Sequence, residues 1–200
     1  MFEFNEKAAT ESTGNGGSKC LETGVYDVTL ITVSKTIAKT GTEGIDVSFQ
    51  VEGSKYPNVV YGMWHTKSNG DSIAFNANKI QALMGLLGGK GLTEFTKEIE
   101  VRGGTKNVTA YKETEKFVCK LAIKKSLDIY NGDVTEKNEI EAFLSAEGKT
   151  YAEQAGNKPA KQMEYYSSKM KDSESKAYKA YIADGGAQEE SEDTDEGSLL

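Results

Sequence analysis

Between Ile45 and Val51 the chain alternates without a break, with Ile45, Val47, Phe49 and Val51 apolar and Asp46, Ser48 and Gln50 polar. Side chains on a strand repeat every two residues, so this run predicts a strand with one face on a core and one in water. Two neighbours carry the same message. The β-branched stretch from Gly24 to Val33 predicts a long first strand, and Val59 to His65 predicts a third, with Gly62 marking a bend or bulge. The basic, Gly-containing segment 34–44 and the turn-forming segment 52–58 connect them.

Helical spacing then replaces the strand period. Ile80, Leu83, Met84 and Leu87 recur at intervals of three and four, Asn76 stands where a cap is wanted, and Gly88-Gly89 end the run. Two further β-like runs, 105–112 and 116–125, flank the polar Glu113-Thr114-Glu115 and predict a hairpin. In the second run Phe117, Cys119, Leu121 and Ile123 share one face, and Lys116, Lys120 and Lys124 share the other. The order strand, strand, strand, helix, strand, strand is that of the OB-fold. The predicted class is therefore all-β with a few helices, an OB-like β-barrel. Beyond it, Asn138 with Glu141 reads as the capping box of a short helix bearing Ile140, Phe143 and Leu144. Residues 160–183 have helix-forming composition, with a broken stripe of Met163, Tyr166, Met170, Tyr178, Tyr181 and Ile182.

The predicted divisions are a flexible arm over 1–18, the barrel over 19–156, a helical or partly ordered extension over 157–183, and a disordered acidic tail over 184–200. Neither a run of eighteen apolar residues nor a basic, apolar leader is present, which predicts no membrane span and no signal peptide. Cys20 and Cys119 stand far apart with no CxxC, which predicts reduced thiols and a cytoplasmic setting.

Catalysis has little to work with. His65 is the sole histidine, and nothing near it resembles a nucleophile elbow. The Gly85 to Lys90 segment lacks the spacing and the Ser or Thr of a phosphate loop, and the acids form no DxD or ExxH cluster. The expectation is a binding protein, with neither enzyme activity nor cofactor nor metal.

Charge first argues against a nucleic-acid partner, since the net charge is −7 and phosphates are bound by releasing counterions to Lys and Arg. Its distribution alters the argument. Six acids (Glu189, Glu190, Glu192, Asp193, Asp195 and Glu196) lie in the tail, and without the tail and the arm the body is close to neutral. Single-strand binders join a basic groove to aromatic platforms. The predicted contacts with single-stranded DNA are the rings Tyr56, Tyr61, Trp64 and Tyr111 and the bases Lys35, Lys39, Lys67, Lys106, Lys116, Lys120 and Lys124. A lone strand ring is more often packing, and a lysine ladder is often only the wet face of an edge strand; it is their joint presence that favours DNA. The tail ends in Leu199-Leu200 after its acids, a peptide that a basic rim and an apolar pocket could grip, or that could compete with DNA for the groove.

The runs GVYDVTLITVSKTIAKTGTEGIDVSFQVEGSKYPN, VVYGMWH and IQALMGLLGG resemble phage-encoded OB-fold single-stranded-DNA-binding proteins. The similarity extends over about residues 21 to 156, where NEIEAFLSAEGKTYAEQ resembles the end of that domain. The resemblance implies sequence-tolerant coating of single strands in phage DNA replication, recombination or repair, in the cytoplasm of a bacterial host. It also implies a tail that recruits partner proteins, although such tails often end in an aromatic residue and this one ends in leucine. The alternatives are a strand-annealing recombination protein, or a structural or scaffold protein of a virion.

Overall fold

The computed structural model describes residues 20–183 except 90, 102–103 and 131–132. The predicted arm and the acidic tail, with Leu199 and Leu200, lie outside the described residues. Of the described residues 46% are strand, mostly in antiparallel sheet, with few helices. Its elements are β1 (Gly24–Ile37), β2 (Glu43–Val51), β3 (Asn58–Thr66), α1 (Ala74–Leu86), β4 (Glu94–Val101), β5 (Gly104–Tyr111), β6 (Val118–Tyr130), β7 (Asp133–Leu144), α2 (Tyr151–Ala155) and α3 (Gln162–Ala183), with a 3-10 turn at Lys112–Thr114.

β1 is hydrogen-bonded along both edges. Val28 to Ile37 pair with β2 on one side, whereas Gly24 to Thr29 pair with β6 on the other, and Ser34 bridges Ala110 of β5. An irregularity between Leu30 and Thr32 lets the strand bend between these partners. The sheet runs β3-β2-β1-β5-β4, with β6 and β7 branching from β1. The core lies on its inner face, where Leu30, Val33, Val47, Phe49, Leu121 and Ile123 are all at 0% exposure. The alternation of β2 thus points where its sequence predicts.

Among the described residues β3 pairs only with β2 and β7 only with β6, so the sheet is not closed. Helix α1 packs against both β3 and β7. It drives Leu83 and Leu86 into the core, and Lys79 Nζ donates to the carbonyl of Ile140 on β7 at 2.6 Å. Gly88 and Gly89 follow the helix with φ of +91° and +71°, the left-handed geometry that favours glycine.

Four sequence expectations require correction. The run 105–112 is β5, whose hairpin partner is β4 across Glu94–Val101, and β6 pairs with β1 and β7 instead. β6 carries Ala122 buried on the face opposite Leu121 and Ile123, so both its faces are covered, as befits a central strand. Residues 138–144 are strand, not helix: Asn138 to Leu144 lie within β7. Asn138 and Glu141 therefore form no capping box; one stands instead at Thr150 and Glu153, at the start of α2. Asn76 does not cap α1; Ile73 holds that position, and the Asn76 amide donates to Trp64 O at 2.9 Å.

Glu153 ties two helices together. It is buried, yet accepts hydrogen bonds from the N–H groups of Thr150, Lys161 and Gln162. Burial alone would raise its carboxyl, but these backbone donors hold it below the usual range. α3 is thereby laid on the outer face of β6 and β7, with Met163, Tyr166 and Met170 against Ala122, Ala142 and Leu144. Those three belong to the stripe predicted over 160–183.

Burial pushes the Cys119 thiol up to about 12 from 9.0. The folded state holds this proton more tightly than the unfolded chain, so the associated stability is complete below pH 9.0 and is lost as pH rises towards about 12. A thiol reagent at pH 8 is expected to label half-buried Cys20 quickly and Cys119 only after denaturation; rapid labelling of both thiols in the native protein would contradict the core assignment.

Candidate nucleic-acid interface

The register of β1, β2 and β3 sorts their side chains. Lys35 lies opposite Ile45, and Ile45 opposite Met63, two core residues, whereas Thr36 lies opposite Gly44, and Gly44 opposite Trp64, on the outer face. On β3 the pairing shifts between Ile45 and Val47, placing an extra residue near Gly62. Gly62 has φ of +67°, so the bulge that its sequence predicts is present. Its N–H, turned from the ladder, donates to Asp46 Oδ1 at 2.8 Å. After the bulge Trp64 returns to the outer face that Val59 and Tyr61 share.

Trp64 is seated on two glycines. A Cβ added at Gly44 would stand 2.7 Å from its Cε3, and one added at Gly62 would stand 2.8 Å from its Cε2 and Cζ2. The indole therefore presses directly on backbone, and it is half-buried, as a ring with one covered face must be. Tyr61, two turns of the pleat away, is 75% exposed. Tyr56 is 64% exposed in the turn before β3, with Lys55 Nζ 5.2 Å from its ring centre and its carbonyl held by Ser54 Oγ at 3.0 Å. Ser48 and Gln50 supply a polar floor beside Asp46.

The structure does not gather the predicted bases on this face. Lys39 and Lys67 are exposed on the turns after β1 and β3. Those turns meet, since a Cβ at Gly41 would lie 3.4 Å from that of Ser68. Lys106 is exposed on the β4–β5 hairpin, opposite Ile99. Lys116 is exposed with φ of +58°, its N–H bound to Leu30 O.

The remaining residues are engaged elsewhere. Lys35 Nζ lies 3.2 Å from Glu43, and half-buried Tyr111 packs against the core, its hydroxyl pushed up first by burial and then by Glu94. Lys120 is paired with Asp27, while Lys124 meets Glu139 at 3.2 Å and Glu141 at 3.1 Å. The charge ladder of β6 is thus matched by carboxylates across its strand neighbours, and α3 lies over the same face. Periodicity marks which residues share a face, but the acids of β1 and β7 become neighbours only through pairing.

Gly44 and Asp46 were not singled out by sequence. The available signal was a glycine on a strand facing an aromatic on its neighbour, an arrangement in which the ring covers the bare backbone. No group of three His, Cys, Asp or Glu among the described residues could hold a metal ion. No described helix is long and apolar enough to cross a membrane. No protein-family model matches the chain, and no curated protein matches it.

Gly62→Ala would add a side chain at positive φ and against the indole. The expected result is a loss of about 1–2 kcal/mol in denaturant unfolding and a red-shifted emission of Trp64, the single tryptophan. Unchanged stability and emission would show that the ring is not seated as described.

Proposed function

We propose that this protein binds single-stranded DNA across the outer face of β2 and β3, with tolerance for sequence. The single observation that carries the reading is Trp64 pressed against the backbone of Gly44 and Gly62, with Tyr61 exposed on the same face. Every base has a π-face, so such rings bind without reading hydrogen-bond patterns, and each stacked base contributes roughly 1–3 kcal/mol. A polar floor of Asp46, Ser48 and Gln50 discourages burial of this face by the protein itself.

The strand order supports the same reading. With the β4–β5 hairpin taken as an insertion, β3-β2-β1-β6-β7 and a helix after β3 follow the order of an OB-like barrel opened between its third and last strands. In that architecture the face of the second and third strands, with the turn joining the first and second, is where oligonucleotides lie. Lys39 sits on that turn, and Lys67 on the turn it touches. The work proposed is coating and protection of single strands in replication, recombination or repair, without catalysis, and with the acidic tail available to partner proteins.

Charge sets the form of the binding. Lys120, Lys124 and Lys35 already have carboxylate partners, so phosphate neutralisation falls mainly to Lys39 and Lys67. The log-log salt slope should be shallow, near −0.7 per phosphate neutralised. An unstructured oligonucleotide is expected to quench Trp64 emission and to bind more tightly than a duplex. Trp64→Ala or Tyr61→Ala should weaken it about fivefold or more at nearly constant slope, whereas Lys39→Ala with Lys67→Ala should flatten the slope. Equal affinity for duplex, or ring variants that bind like the parent, would refute the assignment.

A further inference from the structure

A second ring-lined recess lies between α1, the end of β7, α2 and α3, and no residue of β2 or β3 lines it. Its volume is about 390 Å³, within the range of roughly 300–1,000 Å³ typical of small-ligand sites. Phe75 of α1, Tyr151 of α2 and Tyr165 of α3 line it, and they are 63%, 44% and 51% exposed. Three large rings from three helices therefore converge on one recess without burying one another.

Tyr151 is fixed in the manner of Trp64. A Cβ added at Gly85 would stand 2.5 Å from its Cδ2, so the ring lies directly on the backbone of α1. Glycine inside a helix costs about 1 kcal/mol relative to alanine; at Gly85 the close approach of this ring accounts for it. One ring face is thereby pinned, and the exposed remainder borders the recess.

The recess is also short of negative charge. Lys79, Lys124 and Lys169 line it with Glu141 as their one carboxylate. Glu141 is taken by Lys124 at 3.1 Å and stands 3.8 Å from Lys79. Lys79 Nζ, nearly buried, otherwise meets the Ile140 carbonyl and the Phe75 ring, 3.7 Å from its centre. Lys169 Nζ lies 5.2 Å from the centre of the Tyr165 ring. Even with Glu139 counted against Lys124, the ammonium groups outnumber the carboxylates, so an anion would be welcomed beside Lys169.

We propose that this recess binds a nucleoside monophosphate unit, its base against Tyr151 and Tyr165 and its phosphate at Lys169. Rings alone would suit any apolar group, and lysines alone any anion. A planar ring system joined to a phosphate uses both. The site is separate from the β2–β3 face and does not depend on strand binding there.

Isothermal titration of the full chain with a deoxynucleoside 5′-monophosphate tests it, with the nucleoside and inorganic phosphate as separate arms. One monophosphate per chain is expected, with each fragment binding at least about tenfold more weakly. Tyr165→Ala and Lys169→Ala, at exposed positions of α3, should each lower affinity about tenfold, and Trp64→Ala should leave it unchanged. A free nucleotide and the 5′ end of a strand present the same unit. Comparing a 5′-phosphorylated oligonucleotide with its unphosphorylated form as competitors distinguishes them, and either source supports the site. Absence of binding at millimolar monophosphate, phosphate binding as tightly as the nucleotide, unaltered affinity in both α3 variants, or loss in Trp64→Ala would overturn the proposal. Failure of strand binding at Trp64 would leave these outcomes as they are.

Discussion

The double pairing of β1 is the constraint from which the rest follows. One strand of fourteen residues gives its second half to β2 and its first half to β6, and it bends between them. That arrangement wraps two half-sheets around Leu30, Val33, Phe49, Leu121 and Ile123. It also divides the outer surface. The half built from β6 and β7 is apolar enough at Ala122, Ala142 and Leu144 to take α3, whereas the half built from β2 and β3 offers Asp46, Ser48 and Gln50 and takes none. Tyr61 and Trp64 stand on the uncovered half for that reason.

Close approach to glycine then does for the rings what packing does for core residues. An aromatic side chain on an open surface ordinarily keeps rotamer freedom that any ligand must remove, at roughly 0.5–1.5 kcal/mol per ordered side chain. Trp64 on Gly44 and Gly62, and Tyr151 on Gly85, have lost part of that freedom on folding. Preorganised rings suit a sheet whose lysines Lys35, Lys120 and Lys124 are matched by acids. Lys120 with Asp27 and Lys124 with Glu139 and Glu141 are partly exposed pairs, each contributing little to stability, but their effect on the surface field is to cancel it. On the proposed reading, attraction for a DNA strand comes mainly from stacking.

Much of this was legible in the sequence where one strand or helix determines its own pattern. The strict alternation of β2, the bulge at Gly62 and the stop at Gly88-Gly89 are local facts, and each stands where its residues predict. What failed depended on partners. β4 reads as a mixed, acid-rich stretch, because Glu94, Glu98 and Glu100 interrupt its apolar residues and only pairing with β5 makes it a strand. Asn138 with Glu141 has the spacing of a capping box, yet the sheet overrides it. Asn138 spends its side chain on the backbone of Leu21, accepting from the N–H and donating to the carbonyl. The lysine ladder holds its period only at Lys120 and Lys124, because Lys116 precedes β6 in a left-handed turn, and a sequence does not reveal which carboxylates another strand will lay beside it.

The most direct test of the central claim, that bases settle on the glycine-seated face of β2 and β3, is photo-crosslinking of a 5-bromodeoxyuridine oligonucleotide to the full chain, with peptides mapped by mass spectrometry. Adducts at Tyr61 and Trp64, suppressed by unlabelled single strands and not by duplex, are the predicted result. Adducts confined to α3 or to the lysines of β6, with β3 unlabelled, would contradict it.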